Sequence, residues 1–170
     1  MRLYEPSVLD QIVLAIIGEK PRHGFAVSKE LETDPSLSAV IRARRPLVYR
    51  SINSLVDAKL IRETKTEPGD QGSPRVIYAA TAIGKSKTTK WLNDTVNHPR
   101  DARIELLAKF VLRNRRNLTN QQLAKRQKKL FENQAAKLQV SANLATDDVR
   151  LVSLWRVENI NAMIRLLEAV

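Results

Sequence analysis

Apolar residues in the first third of the chain recur with helical spacing in three segments. The first begins after Ser7, which together with Asp10 is typical of a capping box, and its apolar run ends at Gly18. The second covers residues 25–33, and the third begins near Pro46, a residue suited to the first turn of a helix. In the third segment the apolar positions are spaced by four and three: Val48, Ile52 and Leu55. The pattern predicts three helices, of which the third has a polar and basic outer face.

Two stretches with strand character follow the third predicted helix. They cover residues 62–66 and 75–80 and flank residues 67–74, which are rich in Gly and Pro. Strand-forming residues on both sides of turn-forming residues indicate a β-hairpin, here with a long tip. Residues 81–92 predict a further helix. Three helices followed by a hairpin are the order of elements in a winged helix-turn-helix.

The remainder of the chain has an entirely helical pattern. Residues 97–99, Asn-His-Pro, separate it from the hairpin region and indicate a linker. We therefore expect one domain over residues 1–96 and a second, helical domain over residues 99–170. The first helix of the second domain is predicted over residues 101–116.

The last two predicted helices carry apolar faces that fit each other. Thr119 and Gln122 predict a capping box at the start of the first, and Asp147 or Asp148 is expected to cap the second. The first has the spacing of a coiled-coil seam: Phe131, Ala135, Leu138, Ala142 and Ala145. Two glutamines fall among its possible core positions: Gln127 and Gln134. The last helix has a broad apolar face that needs a cover: Val152, Trp155, Ile160, Met163, Leu167 and Val170.

The charge balance of the chain points to a polyanionic partner. The 170 residues include 29 Lys and Arg against 18 Asp and Glu, a net charge of +11 with a pI near 10.3. Nucleic acid is the leading candidate for such a partner. The apolar fraction of 43% lies near the average of globular proteins, so the chain has enough apolar residues to bury a core.

The same composition argues against several chemical functions. The sequence has no Cys and two His, which excludes disulfides and thiolate chemistry and leaves little for a metal site, so no metal or other cofactor is expected. Residues 69–73 lack the ending of a phosphate-binding loop, and His23 and His98 are isolated, so we expect no enzyme. The early apolar run, residues 12–17, is too short to cross a bilayer, and we expect a cytoplasmic protein without a membrane partner.

Four short motifs in the winged-helix region strengthen this interpretation. They are Pro21-Arg22-His23-Gly24-Phe25, Leu47-Val48-Tyr49-Arg50-Ser51-Ile52, Gly72-Ser73-Pro74-Arg75-Val76-Ile77-Tyr78 and Thr81-Ala82-Ile83-Gly84. In this order and spacing they resemble the PadR family of transcriptional regulators over about residues 8–92. The helical remainder is similar to the coiled-coil dimerisation domain of members with long C-termini. Phe25 stands where the family commonly has Tyr, and Lys59 where it often has Gly, so Lys59 needs a positive φ or a different helix end.

The resemblance implies a mainly α fold and a role in transcription. The fold would be an N-terminal winged helix-turn-helix, which is α+β with a two-stranded wing, followed by a C-terminal helical coiled-coil dimerisation domain. The function would be that of a homodimeric, sequence-specific DNA-binding regulator, a repressor on a pseudo-palindromic operator. The alternative is a protein-interaction adaptor that uses a winged helix without reading DNA.

Several polar residues are candidates for contacts with double-stranded DNA. Four arginines lie within nine residues without an acid among them, beside the predicted recognition helix: Arg42, Arg44, Arg45 and Arg50. Tyr49 is expected to contact a phosphate, and Asn53 is a candidate to contact an adenine edge. Arg75 of the wing is a candidate for the minor groove or a flanking phosphate, and Arg22, in the turn before the second helix, for a phosphate. The opposing interpretations are a solvated charged face, a packed Tyr and a solubilising Arg. His23 is expected to satisfy local backbone groups instead.

The helical domain supplies candidates for dimerisation and for an effector. The expected homodimer interface consists of Phe131, Leu138, Val152, Trp155, Ile160, Met163 and Leu167. Phe110 and Trp155 are candidates to line a site for a small apolar or aromatic effector, although core packing is the competing interpretation for both. Residues 99–170 hold 14 basic and 7 acidic side chains. Their basic residues could flank DNA, bind an anion or solvate the helices, and the sequence leaves these three alternatives open.

Overall fold

The structure, a computed structural model, describes residues 4–69 and 72–170, without the side chains of residues 69, 72 and 73. The winged-helix part is built from α1 (Val8–Glu19), β1 (Arg22–His23), α2 (Gly24–Thr33), α3 (Pro35–Val40), α4 (Arg45–Asp57), β2 (Ile61–Gly69), β3 (Gly72–Ala80) and α5 (Ala82–Asn93). The helical part follows as α6 (Pro99–Asp101), a π-helical turn (Ala102–Leu106), α7 (Leu107–Asn114), α8 (Gln121–Leu144) and α9 (Asp147–Glu168). The predicted mainly α fold is confirmed.

The start of the chain folds as its capping pattern predicts. The Ser7 hydroxyl accepts a hydrogen bond from the Asp10 N–H, and the Asp10 carboxylate accepts one from the Ser7 N–H at 2.9 Å. Helix α1 is so apolar that residues 12–17 are all essentially buried, and it forms the centre of the first core. Helices α2 and α4 pack against it, and the predicted inner face of α4, Val48, Ile52 and Leu55, is fully buried.

Helix α3 was not expected from the sequence. The pattern predicts no helix between residue 33 and Pro46, but the Asp34 carboxylate accepts from the backbone N–H groups of Ser36 and Leu37 at 2.9 Å, and Pro35 occupies the first turn. A side chain that can accept a hydrogen bond, followed by Pro, is compatible with a helix start as well as with a turn. The helix is favoured here because it buries the apolar Leu37 completely in the first core.

The wing is part of a larger sheet than the predicted two-stranded hairpin. Among the described residues the strands form one antiparallel sheet in the order β1-β3-β2. The extra strand pairs Arg22 with Tyr78 and His23 with Ile77. Strands β2 and β3 also extend into the predicted tip, of which residues 70 and 71 lie outside the described part of the chain. Two residues in strand β1 are too few to leave an alternation pattern in the sequence.

The junction between α4 and the wing depends on the backbone conformation of Lys59 and on the close approach of Gly84 to the backbone. Lys59 has a φ of 57°, so this helix end uses the left-handed conformation at a residue other than Gly, one of the two solutions expected from the sequence. Gly84 packs against the same junction, because a Cβ at this position would lie 2.0 Å from the Leu60 carbonyl oxygen. The Thr81 hydroxyl accepts from the Gly84 N–H, which starts α5 at this point.

The helical part has a core of its own. Helices α8 and α9 pack side by side, and a second apolar cluster joins them to α7 and the π-helical turn: Val96, Ala102, Leu106, Phe110, Leu123, Ala124, Phe131, Ile160 and Leu167. The predicted seam of α8 therefore faces α9 of the same chain.

The predicted caps of these two helices are wrong. Asn120, not Thr119, precedes α8, and the Asn120 side chain bonds to Arg113 and Asn114 instead of capping the helix. Asp147 starts α9 with a φ of 51°, which is not the extended conformation of an N-cap, and Thr146 occupies the cap position without a side-chain bond. Contacts of Asn120 with the end of α7 replace the cap of α8, and the reversal of the chain before Asp147 replaces the cap of α9.

The segment between the two parts is held by polar side chains from α7 and α8. Three cations donate to carbonyl groups at the end of α5 and just beyond it: Arg113 to Leu92 at 3.2 Å, Arg126 to Asn93 at 2.7 Å and Lys109 to Asp94 at 2.8 Å. Gln127 is fully buried and bonds both backbone groups of Val96, at 2.6 and 2.9 Å. Gln134 donates to the carbonyl of Asn97 at 2.8 Å. Residues 92–96, which lead into the segment predicted as a linker, are therefore bound to α7 and α8, and one further bond reaches Asn97.

Packing also crosses the predicted boundary between residues 96 and 99. Ala108 and Leu112 of α7 lie in the first core, whereas Val96 lies in the second. The division into domains of residues 1–96 and 99–170 stays a prediction about sequence organisation, since helix α7 contributes side chains to both cores.

Three arginines of the basic C-terminal half are used for internal contacts. Arg115 pairs with Glu19 at 2.6 Å, with Asp34 at 3.0 Å and with Glu30. Hydrogen bonding to Glu19 raises the pKa of Arg115. Arg116 donates to the carbonyl of Ala15 at 2.7 Å, and Arg113 lies at the end of α5. For these three residues the structure thus favours none of the three roles considered from the sequence, because they attach α7 to the winged helix.

Replacement of Gly84 by Ala is expected to destabilise the fold by about 2 kcal/mol or more, because the added methyl group meets the Leu60 backbone and helix α5 must shift. Urea unfolding followed by circular dichroism measures the change. Gly18→Ala is the matched control, since a Cβ there meets its nearest atoms at 3.7 and 3.9 Å, and its free energy of unfolding should stay equal or rise. Equal effects of the two substitutions would contradict this account.

Replacement of Gln127 by Leu is expected to cost about 2 kcal/mol or more, because the buried N–H and carbonyl of Val96 lose their partners together. Gln139→Leu, on the exposed side of the same helix, should change the free energy of unfolding by less than about 0.5 kcal/mol. Thermal and urea unfolding of both variants measure this difference. The prediction is wrong if Gln127→Leu is as stable as the control.

Candidate nucleic-acid interface

The outer face of α4 carries most of the predicted DNA contacts. Arg45, Tyr49 and Asn53 are spaced by four residues and lie on one side of the helix, opposite the buried apolar positions. All three are exposed, Tyr49 by 40%. Arg50 is also exposed on α4, beside this row. The structure thus presents the four polar residues of the recognition helix to solvent while the other face of the helix fixes it to α1 and α2.

The residues before α4 add positive charge at its beginning. Arg42 and Arg44 are exposed in the extended segment that leads into the helix, and Arg45 is its first residue. Within the described part of the chain, none of these three forms an ion pair within 4 Å. The N-terminus of a helix itself carries partial positive charge. This end of α4 is therefore strongly attractive to phosphate groups.

Two aromatic residues lie directly against this charged end. The guanidinium carbon of Arg45 is 4.7 Å from the centre of the Phe25 ring, a cation–π contact. The Tyr49 ring lies over Gly24, where a Cβ would come within 2.9 Å of the Tyr49 Cε1 atom. His23 accepts a hydrogen bond from the Ala26 N–H through Nδ1, the local backbone role predicted for it. The contacts of Phe25 with Arg45 and of Gly24 with Tyr49 were not foreseen, because each joins residues about 20 positions apart.

The wing contributes a second basic position. Arg75 is half-buried on β3, in register with Glu67 on β2. Glu67 also pairs with Lys65 at 2.6 Å, and this contact lowers the pKa of Glu67, with smaller contributions from His23 and Arg75. The wing therefore carries charges of both signs and has a weaker positive field than the start of α4.

Arg22 lies inside the molecule and is not placed for a DNA contact. Its side chain is 7% exposed, pairs with Glu30 and lies 3.7 Å from Glu19. Burial lowers the pKa of Arg22, and Glu19 opposes this shift. An arginine enclosed in this way has its donors directed to carboxylates, so we leave it out of the interface. Its burial follows from the pairing of β1 with β3, which the sequence pattern did not reveal.

The predicted dimer residues divide into two groups. Three of them belong to the second core within the chain, where they are buried: Phe131, Ile160 and Leu167. Leu138 and Met163 are partly buried against that core. Val152 and Trp155 are exposed, Trp155 by 66%. The interface prediction therefore assigned to a partner chain some positions that α8 and α9 cover for each other.

Other apolar residues near the α8–α9 turn are exposed and were missed from the sequence. They are Val140, Leu144, Val149, Leu151 and Leu154. Each lies off the seam that was assigned to the interface, so the periodicity gave no reason to select it. Together with Val152 and Trp155 they form what we call the arm patch.

The two effector candidates lie in different surroundings. Phe110 is 8% exposed and packs in the second core, whereas Trp155 belongs to the exposed arm patch. A cavity of about 240 Å³ lies elsewhere, between α1, α5 and the end of α7, and neither residue lines it. Its lining consists of Gly18, Lys85, Thr88, Thr89, Leu92, Asn93, Arg116 and Leu118. The structure thus does not bring Phe110 and Trp155 into one site.

Residues 4–69 and 72–170 contain no cluster of three or more His, Cys, Asp or Glu side chains arranged to hold a metal ion. None of the helices in these ranges combines the length and the apolar character that a membrane span requires.

Comparison with known proteins agrees with this fold. Bacillus subtilis PadR in complex with operator DNA is similar in structure, with a TM-score of 0.50 and 18% sequence identity over 96% of each chain. The match to smu.1604c from Streptococcus mutans UA159 has a TM-score of 0.45 and 18% identity, covering 94% of this chain and 96% of that one. No curated protein matches the sequence. Residues 13–90 match the model of the transcriptional regulator PadR-like family. Over these residues the sequence is similar to that of PadR-like transcriptional regulators.

Proposed function

We propose that this chain binds duplex DNA in a sequence-specific manner through the outer face of α4. The observation that carries the proposal is the division of α4 into a fully buried apolar face and an exposed face with Arg45, Tyr49, Arg50 and Asn53. A helix fixed in this way can enter a major groove without losing its packing. The family match over residues 13–90 and the similarity to Bacillus subtilis PadR, whose structure is in complex with operator DNA, support DNA binding by this part of the chain.

The residues of this face have different proposed roles. Arg42, Arg44 and Arg45 contact phosphates at the start of α4, where the helix dipole adds to their charge. The Tyr49 hydroxyl donates to a phosphate oxygen. Asn53, one turn further on, has an amide that can pair with an adenine edge. Arg75 of the wing contacts a flanking phosphate or the minor groove.

A second copy of the chain is the proposed partner of the arm patch. Its exposed residues include Leu144 (81%) and Leu151 (69%), and several large apolar side chains exposed near one turn are typical of an interface. A symmetric pair would use the same patch on both copies. Such a dimer would present two α4 helices to half-sites about 34–36 Å apart, one helical turn of DNA. We propose a pseudo-palindromic operator on this ground.

Repression by occlusion of a promoter is the proposed regulatory outcome. A bound small apolar or aromatic effector would release DNA by favouring a dimer with a different separation of the two wings, which requires different affinity for the two states. Because Trp155 is exposed in the arm patch, its fluorescence reports directly on such a change.

Replacement of Arg45 or Tyr49 by Ala is expected to weaken binding to a selected operator duplex about tenfold, because each variant loses a phosphate contact. The log–log salt slope of binding should fall by about one unit for Arg45→Ala. Fluorescence anisotropy at several salt concentrations measures both quantities. Lys137→Ala, an exposed cation on α8, is the control and should bind as the original protein does.

Unchanged affinity of both α4 variants would show that this face does not contact DNA. A slope near zero for genomic fragments, without sequence preference, would favour the adaptor function instead.

Replacement of Trp155 or Leu151 by Asp is expected to shift the chain from dimer to monomer, since a charge in the centre of an apolar contact is costly. Sedimentation equilibrium gives the mass directly. Ile83→Asp, which introduces the same charge at an exposed apolar residue of α5, is the control and should stay dimeric. A dimer of unchanged affinity in the Trp155 and Leu151 variants would contradict the assignment of the arm patch.

A further inference from the structure

The turn formed by residues 23–25 packs against the first two turns of α4. Phe25 presents its ring to the Arg45 guanidinium at 4.7 Å, and Gly24 lies under the ring of Tyr49. His23 stacks on Phe25, with 6.2 Å between ring centres and an angle of 10° between planes. One short turn therefore touches both Arg45 and Tyr49, which lie one helical turn apart on the proposed DNA-binding face.

Arg45 needs a partner that holds its side chain in place. It is the first residue of α4, where the helix dipole repels a cation, and Arg42 and Arg44 add two more positive charges nearby. No described carboxylate lies within 4 Å of it to compensate. A free arginine side chain samples many rotamers, and ordering it on binding costs affinity. The face of the Phe25 ring attracts the guanidinium and restricts it before DNA arrives.

Tyr49 depends on the turn in a different way. A Cβ on residue 24 would lie 2.9 Å from Cε1 and 3.1 Å from Cζ of Tyr49, and 3.0 Å from Cδ1 of Ile52. Cζ carries the hydroxyl group, so any side chain at position 24 displaces the atom that is proposed to meet the phosphate. Gly24 is thus required by close approach, and no other residue type leaves room for the ring.

The turn itself is fixed on both sides. His23 pairs with Ile77 of β3, and its Nδ1 atom accepts from the Ala26 N–H at the start of α2. The turn is therefore tied to the sheet at one end and to α2 at the other. A rigid support of this kind holds functional side chains more accurately than a loose loop does.

We propose that the His23–Gly24–Phe25 turn positions Arg45 and Tyr49 for DNA recognition without contacting DNA itself. Phe25 is the positioning residue for the Arg45 guanidinium, and Gly24 is the positioning residue for the Tyr49 hydroxyl. This inference rests on the proposed function, since it assumes that Arg45 and Tyr49 contact DNA.

A double-mutant cycle on the full-length chain tests the first half. The probe is a duplex selected by this chain from a random-sequence library, and affinity is measured by anisotropy for Phe25→Leu, Phe25→Tyr, Arg45→Ala and the combination of Phe25→Leu with Arg45→Ala. We expect Phe25→Leu to weaken binding about threefold, a fold-change typical of an exposed cation–π contact. Phe25→Tyr retains the ring face and should bind as the original does.

The combined variant separates positioning from other effects. Its affinity should equal that of Arg45→Ala alone, because Phe25 acts only through Arg45. If Phe25→Leu binds as the original does, or if the two losses multiply in the combined variant, the inference is wrong although the proposed function stands. If Arg45→Ala alone leaves affinity unchanged, the proposed DNA-binding face is wrong and the inference falls with it. Thermal unfolding should show no change for Phe25→Leu, whose side chain is 39% exposed.

A second cycle tests Gly24 in the same assay. Gly24→Ala should weaken binding in the original chain and have a much smaller effect in the Tyr49→Ala background, where the added Cβ meets only Cδ1 of Ile52, at 3.0 Å. Equal losses in both backgrounds would show that Gly24 acts on the fold as a whole and not through Tyr49.

Discussion

The polar backbone groups between α5 and α6 determine how the helical part is joined to the winged helix. Carbonyl groups at the end of a helix have no partner within it, and the buried ones, those of Leu92 and Val96, cannot rely on water. Here they are satisfied by side chains from α7 and α8: Arg113, Arg126, Lys109, Gln127 and Gln134. Cations at the C-terminal end of α5 are also favoured by its dipole. The direction of α8 and α9 is therefore fixed by hydrogen bonds as well as by apolar packing.

The buried charges of α7 complete this connection and explain part of the basic composition. Lys109 is 1% exposed, pairs with Glu105 at 2.8 Å and lies over the ring of Trp91. Burial lowers the pKa of Lys109, and Glu105 opposes that shift. Removing a carboxylate from such a buried pair leaves an uncompensated charge, so each cation and its partner depend on each other. Cations buried in this way cannot contact a polyanion, whereas Arg42, Arg44 and Arg45 at the start of α4 are exposed to solvent.

The sequence predicted those features that local patterns determine. The Ser7 capping box and the buried face of α4 each follow from a few neighbouring residues, and the positive φ of Lys59 is one of the two helix ends that the family resemblance left open. What it could not predict depends on distant contacts. Phe25 reaches Arg45, Arg22 is enclosed by Glu30, and strand β1 is recognisable only once β3 pairs with it. At the site, the exposed residues of α4 could be predicted, but the aromatic support beneath them could not.

In the proposed dimer, the connection between the winged helix and the helical part would also affect DNA recognition. In the proposed dimer, two α4 helices are joined through the arm patches at the far ends of α8 and α9. Any change of angle at residues 92–97 is multiplied by the length of α8, whose 24 residues span about 36 Å at 1.5 Å per residue. The half-site spacing is thus set at the connection, since a small rotation there moves a recognition helix by several ångströms. Because Gln127 and the three cations hold residues 92–96, they would limit that rotation, and with it the half-site spacing, in the proposed dimer.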